Sequence, residues 1–195
     1  YDLRGKLIDY ETFGEYVKHY ELYIYNGKVV CIGYNAMYMY SFDGVELALI
    51  DTLEYRMYIS SRLVNNELYI VTAEYLNDIL DEDIVDNLYY DNCINPSSSM
   101  CLNKYNLDTK EHNKINVITS NAAMFYASEN HFYIATRNYM LGYFTFITII
   151  DYDLNPIGSI TVEGTINNQF SMDEHNNYIR VVSTDTTKEP LNYNQ

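Results

Sequence analysis

The sequence predicts an all-β protein built from repeated four-stranded antiparallel sheets. Tyrosine dominates the composition, with 23 residues beside 8 glycines, 3 prolines and no tryptophan, and tyrosine favours half-buried pleated surfaces. Short apolar runs separated by turn residues follow one another along most of the chain. The Asn26-Gly27 pair between two such runs is the strongest short hairpin signal. A polar tip followed by an apolar strand occurs three times in the sequence, which also indicates repeated sheets.

Taken in order, the chain begins with a polar stretch, residues 1–15, and then becomes a series of strands and tight turns. A clear hairpin lies near the C-terminus, where the runs 169–172 and 178–183 flank the polar tip 173–177 and Asn176-Asn177 tolerates positive φ angles. Further strands are expected at residues 22–25, 29–34, 36–41, 45–53, 55–64, 68–75, 100–105, 114–119, 122–127, 132–136, 143–152 and 158–162.

The similar runs 68–72, 132–136 and 178–183 serve as anchors of an internal repeat. They are separated by 64 and 46 positions. If residues 76–99 are an insertion, the repeat is about 40–45 residues long, the size of a four-stranded propeller blade. The sequence therefore predicts a single segment, 1–195, of a partial β-propeller with about three to four antiparallel blades. We place them at residues 16–34 (incomplete), 36–75, 100–137 and 143–185.

The insertion, residues 76–99, lacks the regular succession of short apolar strands and turns. Its apolar residues are at near-helical spacing, which predicts one or two helical turns near 76–90 on a rim of the sheets. Residues 186–195 are polar, and we expect this tail to fray. The apolar residues of the insertion are Leu76, Ile79, Leu80, Ile84 and Leu88.

The formal net charge of −15 excludes two classes of partner. An acidic surface repels phosphate backbones and anionic lipids, and the lysines and arginines form no basic stripe, so we predict no nucleic-acid binding. No apolar run approaches the ~18 residues of a membrane span. The first residue is Tyr1, which leads us to expect an excised part of a longer protein.

The three cysteines allow one disulfide hypothesis. Cys93 and Cys101 bound a polar loop that an oxidising compartment would close as a local bridge, and free thiols are the alternative. Cys31 lies in an apolar strand and is interpreted as a small buried hydrophobic residue.

The sharpest polar cluster is Asp173-Glu174-His175 at the hairpin tip, with Arg180 on the following strand. A metal or acid–base site would require these side chains to converge, whereas successive strand residues point to opposite faces. The alternative is a polar tip in which Asp173 or Glu174 accepts backbone hydrogen bonds or pairs with Arg180.

Calcium is the one metal hypothesis, and no other cofactor is predicted. Asp151, Asp153 and Asn155 resemble the first half of a calcium loop, but Pro156 replaces the required glycine and Val162 replaces the required glutamate. The alternative is a strand end with turn-forming Asp and Asn. An acidic run is interpreted as a solvated face rather than a cation site, and consists of Asp78, Asp81, Glu82, Asp83, Asp86 and Asp91.

No local catalytic motif is present. Ser97-Ser98-Ser99 has no nucleophile elbow around it, Gly142 and Gly158 are isolated, and the histidines have no zinc spacing. An active site assembled from residues of separate propeller blades would nevertheless not be recognisable from the sequence alone. The histidines are His19, His112, His131 and His175.

The segment 168–184 resembles the signature of a family of secreted bacterial and archaeal proteins with a C-terminal β-propeller domain. That signature is a Gln-Phe-Ser-Met-Asp-Glu run followed by an Ile-Arg or Leu-Arg strand. Segments 127–136 and 58–72 are similar to earlier parts of the same domain, so the resemblance covers roughly residues 16–185. It implies a propeller fold and an extracellular or cell-surface setting, and it supplies no catalytic residues.

Two functions from different classes follow as expectations. The first is a binding scaffold whose loops and exposed tyrosines recognise a peptide, protein or glycan. The alternative is part of a secreted hydrolase or lyase whose acidic groups, including Asp173 and Glu174, meet at the propeller centre. Open sheet edges also predict either an edge-to-edge homodimer or shielding of one end by the polar residues between Asp2 and Glu15.

Overall fold

The computed structural model describes residues 6–11, 19–76, 88–90, 96–120, 123–138 and 144–185. Over these residues the protein consists almost entirely of strands and turns. The described strands form two four-stranded sheets, one five-stranded sheet and two two-stranded sheets, and the predicted all-β fold class is confirmed. Within the described ranges, no helix has both the length and the apolar character that a bilayer crossing requires.

The first sheet is an antiparallel meander of four strands in chain order. They are β1 (His19–Tyr25), β2 (Lys28–Gly33), β3 (Ala36–Phe42) and β4 (Leu47–Glu54). Asn26 and Gly27 close its first hairpin with φ angles of 44° and 71°, as a two-residue hairpin loop requires. Asp9 Oδ2 accepts a hydrogen bond of 2.7 Å from the Leu47 backbone N–H. This bond places one polar residue of the N-terminal stretch at the edge strand β4, while shielding of the whole edge and an edge-to-edge homodimer both stay predictions.

The second sheet has five strands. They are β5 (Tyr58–Val64), β6 (Glu67–Tyr75), β7 (Leu88–Tyr89), β8 (Ser98–Asn106) and β9 (His112–Thr119). Their order in the sheet is β5-β6-β8-β9-β7, and β7 pairs in parallel with β9 through Leu88 and Asn116. Leu88 was wrongly included in the predicted helical turns, because apolar spacing over so few residues does not distinguish a helix from a short strand. Most of the predicted helical insertion, at 77–87, lies outside the described residues.

The third sheet is again a four-stranded antiparallel meander, followed by two small two-stranded sheets. The meander contains β10 (Ala123–Ala127), β11 (His131–Asn138), β12 (Phe144–Asp151) and β13 (Pro156–Glu163). The small sheets pair β14 (Thr165–Ile166) with β17 (Ser183–Thr184), and β15 (Met172–His175) with β16 (Tyr178–Val181). The predicted tail, 186–195, lies outside the described residues.

The hydrogen-bonded sheets group the strands differently from the predicted blades. The three large sheets end at Glu54, Thr119 and Glu163, whereas the predicted blades end at residues 34, 75 and 137. Turn residues in the sequence show where one strand ends and the next begins. They do not show whether the next strand belongs to the same sheet, because short links occur both within a sheet and between sheets. Tyr34-Asn35 links two strands of one sheet, and the link at residues 55–57 leads to another.

The chain divides into two compact units, where the sequence predicts a single segment. The first contains residues 1–73 and 103–113, and the second contains 74–102 and 114–195. The buried core of the first unit is formed by Val30, Ile32, Met37, Met39, Leu68, Ile70, Tyr105 and Leu107. The buried core of the second unit is formed by Tyr133, Ala135, Ile147, Ile166 and Met172. Met172 directly precedes Asp173 of the predicted polar cluster.

Candidate functional site

The β15–β16 hairpin carries all four residues of the predicted polar cluster, but it brings only Asp173 and Arg180 together. Its turn is Asn176-Asn177, with φ angles of 52° and 62°. Side chains alternate between the two faces of the hairpin, so Glu174 points toward the protein while Asp173 and His175 are exposed. The predicted cluster is therefore divided between an inner and an outer face.

On the outer face, Arg180 and Asp173 form an ion pair. The two residues are directly opposite each other in the strand register, and Arg180 Nη2 donates a hydrogen bond to Asp173 Oδ2. Their side chains are 63 % and 51 % exposed, so water surrounds the pair. His175 is also exposed on this face.

On the inner face, the Glu174 carboxylate is only 3 % exposed and accepts hydrogen bonds from four side chains. Ser128 Oγ donates to Oε2. Asn130 Nδ2 lies 3.0 Å from Oε1, and the Tyr133 hydroxyl lies 2.9 Å from Oε2. His131 Nδ1 is 3.1 Å from Oε2 and must carry a proton there, because an ionised carboxylate only accepts. We call these five residues the Glu174 cluster.

The turn between β10 and β11 positions the four donors. Ser128 Oγ accepts hydrogen bonds of 3.1 Å and 2.9 Å from the backbone N–H groups of Asn130 and His131, which is how serine commonly closes a turn. Tyr133 follows on β11, where its ring stacks on that of Tyr126 with centroids 5.7 Å apart. The serine turn is visible in the sequence. Its contact with a glutamate 46 residues away is not.

The Glu174 cluster holds its carboxylate in the ionised form. Burial alone raises the pKa, but the hydrogen bonds from Ser128, Asn130, Tyr133 and His131 outweigh it and lower the pKa of Glu174 to about 2. Burial and the neighbouring Glu174 raise the pKa of the Tyr133 hydroxyl. Because every contact favours a fixed negative charge, the cluster anchors the β15–β16 hairpin to the β10–β11 turn.

A half-buried carboxylate with similar partners, Glu21, lies in the first unit, and sequence reasoning missed it. Tyr23 donates its hydroxyl hydrogen to Glu21 Oε2, and Ser61 Oγ donates to the same oxygen at 2.7 Å. The Tyr58 hydroxyl is 3.0 Å from Ser61 Oγ. Burial raises the pKa of Glu21, but these hydrogen bonds outweigh burial and lower it. Tyrosine hydroxyls are thus used repeatedly to satisfy inward-facing carboxylates.

The predicted calcium half-loop forms a turn between β12 and β13. Asp151 Oδ1 accepts hydrogen bonds from the backbone N–H groups of Asp153 at 2.9 Å and Asn155 at 2.8 Å. Asn155 Nδ2 donates to Asp151 Oδ2 at 3.1 Å. Burial raises the pKa of Asp151, but these hydrogen bonds outweigh it and lower the pKa. The contacts are those of the turn-forming interpretation, and calcium binding stays a prediction.

Of the remaining candidate residues, those that the structure describes do not assemble into a site. Cys101 is buried on β8, while Cys93 lies outside the described residues, so the disulfide stays a prediction. Cys31 is half-buried, and burial raises the pKa of its thiol. Residues 78–86 and 91 of the acidic run also lie outside the described residues. Among the residues that the structure describes, no group of three or more metal-ligating side chains is placed to hold a metal ion.

The turn that precedes the hairpin exposes an apolar side chain that sequence reasoning missed. The run 169–172 was predicted as a strand, but Gln169–Ser171 is a 3₁₀ turn, because Asn168 Oδ1 accepts a hydrogen bond of 3.0 Å from the Phe170 N–H. Phe170 is left 87 % exposed. The Ser171 carbonyl accepts a 2.9 Å bond from the Val182 N–H, which joins this turn to the end of β16. We define the outer hairpin surface as Phe170, Asp173, His175, Tyr178, Arg180 and Val182.

Comparisons with known proteins agree with the sheet architecture. A search of curated proteins found no match to the chain. A family model described as a beta propeller domain matches residues 12–195, nearly the whole sequence. Repeated four-stranded antiparallel sheets are the building units of that fold. The chain therefore belongs to the beta propeller domain family.

Proposed function

We propose that this β-propeller domain is an extracellular or cell-surface binding module, and that its outer hairpin surface contacts the ligand. One observation carries the proposal: Phe170, Tyr178 and Val182 are 87 %, 76 % and 72 % exposed. All three belong to the short segment 170–182, in which the Ser171–Val182 backbone bond joins the turn to the end of β16, and exposed large apolar side chains in one region are typical of interaction surfaces. Tyrosine and arginine are also the residue types that contribute most to binding energy, and Arg180 lies between Tyr178 and Val182 on the same face.

The inner face of the hairpin supports this role because it is fixed. Met172 is 2 % exposed within the core of the second unit, and Glu174 accepts four hydrogen bonds from side chains of the β10–β11 turn and of β11. Ile179 and Val181 pack against the same core. A hairpin whose inner face is fixed in this way presents its outer side chains in one arrangement, which lowers the entropy lost when a ligand binds.

A polypeptide is the ligand class that this surface fits best. Phe170 and Val182 offer only apolar contacts, and the Asp173 carboxylate is already paired with Arg180. A sugar would require several polar groups beside an aromatic ring to orient its hydroxyls, and His175, opposite Tyr178 in the strand register, is the one polar side chain of this surface outside the Asp173–Arg180 ion pair. We therefore place a peptide or protein ahead of a glycan. The extracellular setting is supported by the resemblance of segment 168–184 to secreted propeller proteins.

The alternative, a secreted hydrolase or lyase, would need accessible carboxylates that exchange protons near neutral pH. Glu174 is buried and its pKa is lowered to about 2, and Asp173 is engaged by Arg180. These contacts favour the binding role over the enzymatic one.

A peptide array probed with the purified domain tests the proposal, with a glycan array run in parallel. Peptides that bind should lose at least tenfold in affinity with Tyr178→Ala or Phe170→Ala, measured by calorimetry. Tyr10→Ala is the matched control, because Tyr10 is also largely exposed, at 67 %, and lies outside the outer hairpin surface. Peptide binding that survives both substitutions would refute this location of the site, and binding to glycans alone would refute the polypeptide ligand. Biotinylation of intact producing cells tests the extracellular setting.

A further inference from the structure

One face of the β1–β4 sheet packs on strand β6 and on the tip of the β8–β9 hairpin. Met37 and Met39 of this face are both 0 % exposed. Solvent therefore reaches them only when the sheet moves away from its neighbours. The buried cluster at this contact contains Val30, Ile32, Met37 and Met39 from the sheet, Leu68 and Ile70 from β6, and Tyr105 and Leu107 from the hairpin tip.

One end of the sheet is attached through the short link at residues 55–57, which connects β4 to β5. The Tyr55 N–H donates a 2.9 Å hydrogen bond to the Asn35 carbonyl, so the link lies beside the turn between β2 and β3. Met57 has a φ angle of 34°, in the left-handed region that a non-glycine residue rarely adopts. Short links whose backbone angles can change are the usual hinges of moving elements.

The opposite end of the sheet is held by residues 105–110 at the tip of the β8–β9 hairpin, which we call the latch segment. Lys28 begins β2 and Gly33 ends it, and they are roughly 17 Å apart along an extended strand. Lys28 Nζ donates to the Leu107 carbonyl at 2.8 Å and to Asp108 Oδ1 at 2.6 Å. These are charge-assisted hydrogen bonds, which are stronger than neutral ones. The latch segment thus contacts the end of the sheet that is remote from the link.

The latch segment also contacts β4, at a β-bulge. Ile50 is the extra residue where the β3–β4 register shifts, and a bulge leaves such a residue without a partner in the ladder. The Ile50 carbonyl accepts a 2.9 Å hydrogen bond from Lys110 Nζ. The neighbouring Asp51 carboxylate accepts a hydrogen bond from the Tyr105 hydroxyl. Contacts of the latch segment therefore reach from β2 to the edge strand β4.

We propose that the β1–β4 sheet opens as a unit about residues 55–57, and that the latch segment controls how often it does so. Proteins open locally in cooperative units that require less free energy than global unfolding. The apolar cluster keeps the open form a minor population, and the two lysine contacts determine how minor it is. Opening makes Met37 and Met39 accessible while the core of the second unit stays closed. This conformational device does not depend on the proposed binding role.

Methionine oxidation measures the opening with residues that the chain already contains. A pulse of hydrogen peroxide converts an accessible methionine to its sulfoxide, and peptide mass spectrometry gives the rate for each site. Met37 and Met39 report on the β1–β4 sheet. Met172, which is 2 % exposed in the core of the second unit, reports on opening elsewhere in the same sample.

Lys28→Gln removes the ammonium group from the latch segment, and Lys28→Gln with Lys110→Gln removes both lysine contacts. Oxidation of Met37 and Met39 should accelerate at least threefold in the single variant and at least tenfold in the double variant. Met172 should stay within twofold. Lys114→Gln is the matched control, because Lys114 is a half-buried lysine on β9 outside the latch segment. It makes the same change of charge and should leave all three rates within twofold.

Three outcomes would overturn the proposal. The first is a double variant in which Met37 and Met39 keep the rate of the unmodified chain. The second is an equal acceleration at Met172, which would mean that the substitutions unfold the whole chain. The third is an equal acceleration in Lys114→Gln, which would assign the effect to charge alone. Should circular dichroism show that the double variant does not fold, the single variants Lys28→Gln and Lys110→Gln are judged by the same three outcomes.

Discussion

The Tyr133 hydroxyl donates a 2.9 Å hydrogen bond to Glu174 across 41 residues of sequence. This bond joins β11 to β15, and the remaining donors of the Glu174 cluster surround the same carboxylate. A similar relationship recurs where Tyr105 donates to Asp51, 54 residues earlier. The abundant tyrosines of this chain therefore do more than fill half-buried sheet surfaces. Their hydroxyls connect distant segments by donating hydrogen bonds to carboxylates.

Glu174→Gln should destabilise the protein by about 2–3 kcal/mol at neutral pH. The amide removes the charge and turns an N–H₂ group toward side chains that are themselves donors, which leaves buried polar groups unpaired. Urea unfolding is the measurement. Glu163→Gln, at an exposed position of β13, is the control and should change stability by less than about 0.5 kcal/mol. Equal effects of the two substitutions would show that the cluster is not a stabilising anchor.

The stabilisation by Glu174 should disappear in acid. Its folded pKa of about 2 is below the ordinary value of 4.5, so the unfolded chain binds the proton first as the pH falls. The contribution is complete above about pH 4.5 and is lost as the pH approaches 2, with an upper limit of roughly 3 kcal/mol. Glu21 and Asp151 also have lowered pKa values, so the pH dependence of the unmodified chain alone does not isolate the contribution of Glu174. The stability difference between the unmodified chain and Glu174→Gln should stay constant from pH 6 to about pH 4.5 and then shrink as the pH falls to 2.5; a difference that stays constant over the whole range would contradict the assignment.

The Asp173–Arg180 pair should contribute little, in spite of its direct contact. Both side chains are more than half exposed, and exposed ion pairs typically stabilise proteins by less than about 1 kcal/mol. A double-mutant cycle with Asp173→Ala and Arg180→Ala measures the coupling. A coupling above about 2 kcal/mol would mean that the outer hairpin surface is covered in solution.

Gly164→Ala should lower the melting temperature by about 4–8 °C, which corresponds to roughly 2 kcal/mol in a domain of this size. Gly164 has a φ angle of 86°, and an added Cβ would lie 2.6 Å from the Thr184 carbonyl oxygen. That oxygen belongs to β17, which pairs with β14 beside the glycine, so the clash is with backbone. Gly158→Ala is the control, because a Cβ there meets nothing within 4 Å. Calorimetry that shows similar shifts for both would contradict this account.

Much of the secondary structure could be predicted because it is encoded locally. The Asn26-Gly27 and Asn176-Asn177 turns have the positive φ angles that their residue types indicate. Alternation along a strand also predicts that Asp173 and Glu174 cannot share a face. Local signals failed where neighbouring groups compete, as at Asn168, whose side chain captures the Phe170 N–H and replaces the expected strand with a 3₁₀ turn.

The sequence by itself determined the all-β class, the position of most strands and the residue types of the turns, because backbone sterics and side-chain alternation act over only a few residues. The tertiary structure alone decided where one sheet ends and the next begins, and that Glu174 rather than Asp173 is buried. Those outcomes depend on which segments pack together over separations of more than 40 residues, as in the 46 between Ser128 and Glu174. The burial and hydrogen bonding gained in that packing set the free energy, and no local pattern contains that information.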